Sequence, residues 1–478
     1  MSDGPPWTPP PGSIPTLAVP SLDGVRRVHL VGIGGAGMRN LAKLLVARGV
    51  AVSGSDLKDG PALEGLRAIG AEVRVGHDAA NVGDPDAVVV SSAIPERNPE
   101  LRAAEARGLA IWRRQQALAA LVRGHRAVAI AGTHGKTTVT SMLATVLEDA
   151  GADPTYLIGG DLNESGSGAR HGGGDAFVFE ADESDGSFLL IEPWCGVITN
   201  IEVDHVDFYA GGLDEIVDAF ATFARRCDSV VACGDDASVR DALARAGVTA
   251  TTYGFDEGND LVVTVTDLGP DGARGTVRVD GGPALPVRLR IDGPHNLLNA
   301  AAAIAVARRL GVAPETAAAA LEAFGGVHRR FELRGTARGA RFFDDYGHTP
   351  TEMAVTIDTA RRYGPRRLVA LVQPHRYSRV QALWRDLGAS VAGADIVIVT
   401  DVYGAAQPPI PGITGKLVVD GVQLASPGRR TVYLPHRRDV VTFLEREVRA
   451  GDLVVTMGCG DVWMLGDEAR AAIEGNGR

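Results

Sequence analysis

Ala131-Gly132-Thr133-His134-Gly135-Lys136-Thr137-Thr138 follows a short apolar run, 127–131, and precedes a helical pattern that continues to about residue 149. A strand that breaks at glycines and turns into a helix leaves backbone N–H groups unpaired and facing outward, which makes an anion cradle. Lys136 adds a point charge able to reach a terminal phosphate, and the hydroxyl of Thr137 is placed to ligate Mg²⁺. The common phosphate loop carries a further glycine five residues before Gly135, where this chain has Ile130, so the loop is shorter than usual. The competing reading is an ordinary strand-to-helix turn. The Gly-Lys-Thr-Thr core favours a parallel α/β unit that binds a nucleoside triphosphate through Gly132, Thr133, Gly135, Lys136, Thr137 and Thr138.

Upstream, residues 1–24 include Pro5, Pro6, Pro9, Pro10, Pro11, Pro15 and Pro20 and read as a disordered arm. A buried strand is expected at 27–31, then Gly32-Ile33-Gly34-Gly35-Ala36-Gly37, a helix at about 38–48 and a second strand leading to Asp56. This is the G-x-G-x-x-G spacing, with an acidic residue about 20 positions on, and taken alone it predicts NAD with Asp56 on the ribose. The glycines report only a backbone brought close to a pyrophosphate at a helix N-terminus, and any nucleotide diphosphate satisfies that requirement. Further strands at 72–75 and 87–91 and helices near 61–69 and 99–107 complete a small doubly wound domain ending near Gly124.

Downstream of the loop, a Gly/Ser-rich stretch, 159–174, precedes the strand 176–179, which delivers Glu180-Ala181-Asp182-Glu183-Ser184-Asp185 at its C-terminal end. Ligands sit at that end of a parallel sheet, and four carboxylates within six residues repel one another unless a cation is near. A solvated acidic turn is the alternative. The next strand, 196–199, leads to Asp204-His205, where His205 is either a second metal ligand or a hydrogen-bonded loop residue. Beyond short strands at 261–265, 273–279 and 284–291, Asn296 and Asn299 lie one helical turn apart at the start of an Ala-rich helix. Their amides could read an adenine edge, with helix N-capping as the competing role.

A third region from about residue 327 contains Arg329-Arg330-Phe331, then Asp344-Asp345-Tyr346-Gly347-His348-Thr349-Pro350, and later Gln373-Pro374-His375-Arg376-Tyr377-Ser378-Arg379. Polar and aromatic residues clustered just past strands suggest a ligand face, although Arg376 and Arg379 could also lie on a solvated helix face.

Composition sets the outer limits. A chain of 478 residues has room for about three domains, and 45% hydrophobic with 22% charged residues is ordinary for a folded protein. With 48 basic against 59 acidic residues, a net charge of −11 and no Lys/Arg run, nucleic-acid and membrane-surface roles are disfavoured. Cys195, Cys227, Cys233 and Cys459 are scattered, which argues against a disulfide framework or structural zinc and for small core residues. No basic-then-apolar leader and no run of ~18 apolar residues is present, so a cytoplasmic enzyme is expected.

Taken together, the stretches Gly32 to Met38, Gly132 to Thr138, Glu180 to Asp185, Asp204-His205, His295 to Ala300, Arg329 to Phe331, Asp344 to Glu352 and Gln373 to Arg379 resemble the Mur ligases, in family order across residues 26 to 460. The resemblance implies a three-domain α/β architecture: a Rossmann-like domain at 25–124, a central P-loop ATPase-like domain at 125–326 and a C-terminal Rossmann-like domain at 327–478. It implies ATP and Mg²⁺, in two metal sites, with UDP-N-acetylmuramate and L-alanine as substrates and a monomer–dimer equilibrium as the expected assembly. The lactyl carboxylate would attack the γ-phosphate, and alanine's amine would displace phosphate from the resulting acyl phosphate. By the same resemblance Gly34, Ala36, Gly37, Asp56 and Ser91 would hold the UDP-sugar, Asn296 and Asn299 the adenine, and Thr137, Glu180 and His205 the metal. Arg330 and Asp345 would hold the nucleotide from the domain junction, with Lys136, Glu180 and His205 completing the catalytic set. Tyr346, His348, Arg376 and Arg379 would line the amino-acid and muramoyl side. A sister ligase that attaches a tripeptide to the same sugar nucleotide is the alternative, and Ser184 in place of that group's tyrosine favours alanine. The chain departs from the family at Thr349, where a second histidine is usual, and at 457–461.

Overall fold

The computed structural model describes residues 18–91, 93–159, 167–205, 208–405 and 407–475. Most of the Pro-rich arm and residues 160–166 of the Gly/Ser-rich stretch therefore lie outside the described residues. The first compact unit takes in 1–266, 274–289 and 295–325, and the second 267–273, 290–294 and 326–478.

Two sheets belong chiefly to the first unit. The smaller has five parallel strands, β1 (Arg27–Val31), β2 (Ala51–Asp56), β3 (Glu72–Val75), β4 (Ala87–Val90) and β5 (Ala110–Arg113), in the order β3-β2-β1-β4-β5. The chain winds outward from β1 in one direction and then from β4 in the other, so the Gly32–Gly37 turn leaves β1 at the switch in strand order, where parallel sheets form ligand crevices. Its central strands β1 and β4 are buried on both faces, as the runs at 28–31 and 87–90 require, while the edge strand β3 is largely exposed.

The larger sheet is built from β6 (Arg126–Ala131), β7 (Thr155–Leu157), β8 (Ala169–Arg170), β9 (Ala176–Glu180), β10 (Cys195–Ile198), β11 (Val230–Cys233), β12 (Thr251–Gly254), β13 (Leu261–Gly269), β14 (Gly272–Val279) and β15 (Ala284–Leu289). Its order is β15-β14-β13-β12-β11-β10-β6-β9-β7-β8, which sets β6 between β9 and β10, both parallel to it. One continuous apolar cluster runs from Val28 and Leu41 of the first sheet through Ala129, Phe179 and Phe220 to Ala242, so the first two sheets share a core.

The second unit carries β16 (Glu332–Ala337), β17 (Ala340–Asp345), β18 (Arg367–Val372), β19 (Ile396–Val399), β20 (Arg430–Tyr433) and β21 (Asp452–Met457), ordered β16-β17-β21-β18-β19-β20. Only the β16–β17 pair is antiparallel. The last strand in sequence thus lies between β17 and β18. Apolar clusters cover both faces of this sheet.

Under the first sheet lies a buried polar knot. The Glu100 carboxylate accepts from Ser55 Oγ (2.6 Å), Asn81 Nδ2 (2.8 Å) and the Asp78 N–H (3.1 Å), and sits 3.1 Å from His29 Nε2. Both His29 and Glu100 are wholly buried. Burial alone would raise the Glu100 carboxyl, but the donors from His29, Ser55 and Asn81 outweigh it and hold it down to about 2. A depressed acid stabilises the fold fully above its ordinary range near 4.5, and that contribution is lost as pH falls through about 2. Glu100→Gln should therefore flatten the acid limb of a urea-midpoint profile below about pH 4.5, and Glu100→Ala should cost about 3 kcal/mol at neutral pH.

Candidate active site

The phosphate loop leaves β6 between two parallel neighbours whose registers pair Ile130 with Glu180 and Ala131 with Ile198. Three chain segments therefore emerge side by side: the glycine loop, the acidic run 180–185, and Thr199–His205. Gly132 adopts φ +131°, and a side chain there would drive its Cβ to 2.0 Å from Thr199 Oγ1. Gly135, at φ +85°, caps the helix Lys136–Asp149 and would strike Asn299 Oδ1 at 2.8 Å if it carried a Cβ. Both glycines are thus required by conformation and by close approach.

A splint from the strand beyond fixes the loop. Asn200 O accepts the Thr133 N–H at 3.0 Å and Asn200 Oδ1 accepts the His134 N–H at 2.8 Å. Thr199 Oγ1 and Asn200 Nδ2 donate to His134 O, and the Glu202 N–H donates to Thr133 Oγ1. With Thr133 and His134 committed, the N–H groups of the helix's first turn, from Lys136 through Thr137 and Thr138, remain to receive an anion, since a first turn has no intrahelical acceptors.

Lys136 Nζ donates to Gly132 O (2.5 Å), Thr133 O (3.2 Å) and Glu183 Oε1 (2.9 Å). Burial alone would lower this ammonium, but the Glu183, Asp182 and Glu180 carboxylates outweigh it and hold it above its ordinary range. Glu183 is pushed up by burial and by Asp182, with Lys136 and His205 opposing. Tyr209 OH donates to Glu183 O at 2.7 Å and anchors the turn. His205, at φ +50°, places Nε2 4.0 Å from Glu183 Oε1 and 3.6 Å from Asp204 Oδ2. Glu180 reaches elsewhere, its Oε1 accepting the Gly159 N–H at 2.6 Å. Glu183, a residue the sequence marks only as one of an acidic run, therefore lies within 4.0 Å of both Lys136 and His205.

Asn296 and Asn299 lie inside the helix Pro294–Arg309, so neither is its N-cap. Both are buried, and Asn299 Nδ2 donates to Asn296 Oδ1 at 3.3 Å.

In the first sheet, Gly34 and Asp56 meet: Asp56 Oδ2 accepts the Gly34 N–H at 2.9 Å. Ala36 and Gly37 begin the helix Ala36–Ala47, and the Ser91 N–H donates to Val31 O beside them. Arg114, from the end of β5, lies over Gly37, where a Cβ would fall 2.7 Å from its Nη1, and its Nη2 is 3.9 Å from Asp182 Oδ2. Nothing in the linear sequence ties Arg114 to the glycine turn; only the strand order does.

In the second unit, Asp345 Oδ2 accepts the Phe331 N–H at 2.8 Å, and Oδ1 accepts from the Gly347 N–H and Thr356 Oγ1. Burial pushes its carboxyl up against the pull of Arg330. Arg330 lies 5.3 Å from the Tyr346 ring centroid and 3.4 Å from Glu352 Oε1. Tyr346 meets His348 edge-on, and Arg379 is only 5% exposed, with Nη1 2.7 Å from His375 Nδ1, so it does not lie on a solvated face. Arg376, at φ +62°, is the N-cap of the helix Tyr377–Val391 that carries Arg379, its N–H donating to Tyr403 O. Thr349, the departure from the family loop, is an N-cap: it forms a capping box with Glu352 at the head of the helix Pro350–Arg362.

The described residues include the donor set a divalent cation wants, since the buried Glu183 Oε2 and His205 Nδ1 have no hydrogen-bond partner. No helix among the described residues is long and apolar enough to cross a membrane.

Three family models match the chain in order: the Mur ligase family catalytic domain over residues 27–126, the Mur ligase middle domain over 130–307, and the Mur ligase glutamate ligase domain over 329–460. The chain is 45% identical over 462 residues to a UDP-N-acetylmuramate–L-alanine ligase of Saccharopolyspora erythraea, covering 94% of each. It is 46% identical over 461 residues to one from Kineococcus radiotolerans, covering 94% of this chain and 97% of that one. Its structure is similar to UDP-N-acetylmuramate-alanine ligase of Thermotoga maritima (TM-score 0.79, 29% identity, 94% and 99% covered) and to a murein peptide ligase of Psychrobacter arcticus (TM-score 0.71, 27% identity, 94% and 99% covered).

Gly132→Ala, placing a methyl into the space of Thr199 Oγ1, should weaken binding of an ATP analogue by about tenfold or more, measured by calorimetry on folded protein. An unchanged affinity would show that the loop is not held by the Thr199–Asn200 splint.

Proposed function

The chain belongs to the Mur ligase family, and we infer that its Lys136 loop activates an acid held by the first sheet so that an amine can displace the activating group. The enzyme is an ATP-dependent ligase that joins L-alanine to UDP-N-acetylmuramate in peptidoglycan precursor synthesis, as its near full-length relatives are named. A carboxylate is a poor acylating agent until one oxygen becomes part of a leaving group. Phosphorylation does this, but the carboxylate and the triphosphate repel each other.

The observation that carries the assignment is the seat of Lys136, a half-buried ammonium fixed by two loop carbonyls and Glu183 at the mouth of a helix N-terminus. There it neutralises charge on the transferring phosphoryl group without reorganising. Mg²⁺ supplies further charge neutralisation when bound. Thr137, Glu180 and His205 are assigned to it, in two sites, and the position of Glu183 beside both Lys136 and His205 adds that carboxylate to the set.

Gly34, Ala36, Gly37, Asp56 and Ser91 are assigned to the UDP-sugar, with Arg114 added over Gly37 as a cation for the diphosphate. Asn296 and Asn299 go to the adenine, and Arg330 and Asp345 to the nucleotide. Tyr346, His348, Arg376 and Arg379 go to the amino-acid and muramoyl side, an arginine matching the alanine carboxylate. The reaction is placed in the cytoplasm, on a chain working as three domains and in a monomer–dimer equilibrium. The tripeptide-attaching sister activity is the second reading, favoured by the likeness to the Psychrobacter arcticus structure.

With Mg²⁺, ATP and UDP-N-acetylmuramate, ADP release should be faster with L-alanine than with the tripeptide; the reverse order would overturn the choice of amino acid. Lys136→Ala should lower turnover by about 10²-fold or more while leaving UDP-N-acetylmuramate affinity within about threefold, since the assigned residues lie on different sheets. Loss of both together would refute the division of labour.

A further inference from the structure

Three neighbouring strands of the second unit's sheet end level with one another: Asp345 of β17 and Val372 of β18 both pair with Met457 of β21, which lies between them. The loops that follow carry His348 after β17, His375 after β18 and Cys459 after β21, two or three residues past the strand ends. Their ligating atoms all fall within 4.8 Å of one another, and each residue is half-buried rather than sealed in the core. Two imidazoles and one thiol suit zinc rather than Mg²⁺, which prefers oxygen. From Zn–S and Zn–N bonds of about 2.3 and 2.0 Å, a tetrahedral site needs its ligand atoms roughly 3.3–3.6 Å apart, so the trio must draw in by about 1 Å.

The surroundings already orient the imidazoles. His348 Nδ1 lies 3.2 Å from Tyr346 O and 3.4 Å from Glu352 Oε2, so it is the donor nitrogen and Nε2 the acceptor, as when an outer carbonyl or carboxylate fixes a metal-bound histidine. His375 is held between the Tyr403 ring, stacked at 6.1 Å, and the His348 ring, edge-on at 5.3 Å. Its Nδ1 accepts from the Arg379 guanidinium at 2.7 Å, so one lone pair of this ring is already used by a cation.

We propose that His348, His375 and Cys459 form a binding site for a zinc-type divalent cation, with a fourth position open, distinct from the Mg²⁺ set of the phosphate loop. Occupancy displaces the Arg379 guanidinium or turns the His375 ring away from it, and so inhibits ligation. This consequence alone rests on Arg379 serving the substrate side; the metal binding does not. Burial pushes the Cys459 thiol up to about 12, so the metal takes the place of its proton, which passes to the buffer. Cys195 and Cys233 are buried and lie on other strands, outside the trio.

The test is a Co²⁺ titration of the full chain after chelator treatment, followed by visible absorption. The expected result is a saturable one-to-one spectrum with a thiolate-to-cobalt charge-transfer band, abolished by added Zn²⁺ and absent from Cys459→Ser and from Cys459→Ala. In the ligation assay at saturating Mg²⁺, either Cys459 variant should keep near wild-type turnover and need about tenfold more Zn²⁺ for half-inhibition. A cobalt spectrum without the thiolate band, or one that persists in both variants, overturns the site, and no substrate is needed to see it. Unchanged zinc sensitivity in the variants overturns the inhibitory role. Absence of ligation by the zinc-free enzyme with L-alanine at saturating Mg²⁺ would instead count against the functional reading, leaving the spectroscopic result to stand by itself.

Discussion

A triphosphate and a carboxylate are both anions, and an enzyme that makes one attack the other must hold positive charge where they meet. In the reading proposed above that charge is Lys136, and the first unit's architecture explains why it can sit half-buried without losing its proton. Burial would lower the ammonium; Glu183 at 2.9 Å, with Asp182 and Glu180 nearby, reverses that. The acidic run that looks like self-repulsion in the sequence is what keeps the lysine charged. The lysine in turn makes the acidic run tolerable.

The pairing depends on strand order. β6 lies between β9 and β10, so the loop, the carboxylates and the Thr199–His205 segment leave the sheet together. Asn200 then occupies the Thr133 and His134 N–H groups, leaving the helix's first turn as the anion seat. A loop missing one glycine of the common pattern works here because Thr199 and Asn200 supply the rigidity from a neighbouring strand. The first sheet and the second share one apolar cluster, so the Gly32–Gly37 turn and the Lys136 loop are carried on one core.

Much of this is legible from residues that act locally. Gly34, Gly37, Gly132 and Gly135 announce turns because a side chain there would strike a neighbour, and the apolar runs at 28–31 and 127–131 announce buried parallel strands. Asn296 and Asn299 were readable as one face of a helix, and they do meet. What escapes is whatever depends on which strands become neighbours. Glu183 rather than Glu180 faces Lys136 because of a turn within the acidic run, and Arg114 reaches Gly37 from the far end of the first sheet. The meeting of His348, His375 and Cys459 requires the last strand to insert between β17 and β18, an order that no periodicity encodes. Cys459 reads as a small core residue in the sequence for the same reason. Thr349 shows the opposite case: a departure from the family loop whose capping role follows from the Thr-x-x-Glu spacing, a helix-start signature.

The central claim is that the acid's own oxygen becomes the phosphate leaving group. UDP-N-acetylmuramate labelled with ¹⁸O in both lactyl carboxylate oxygens, turned over with ATP, Mg²⁺ and L-alanine, tests it directly by mass analysis of the released phosphate. Attack on the γ-phosphate followed by displacement places one ¹⁸O atom in each phosphate released. Phosphate free of label, with amide product formed, would contradict the account.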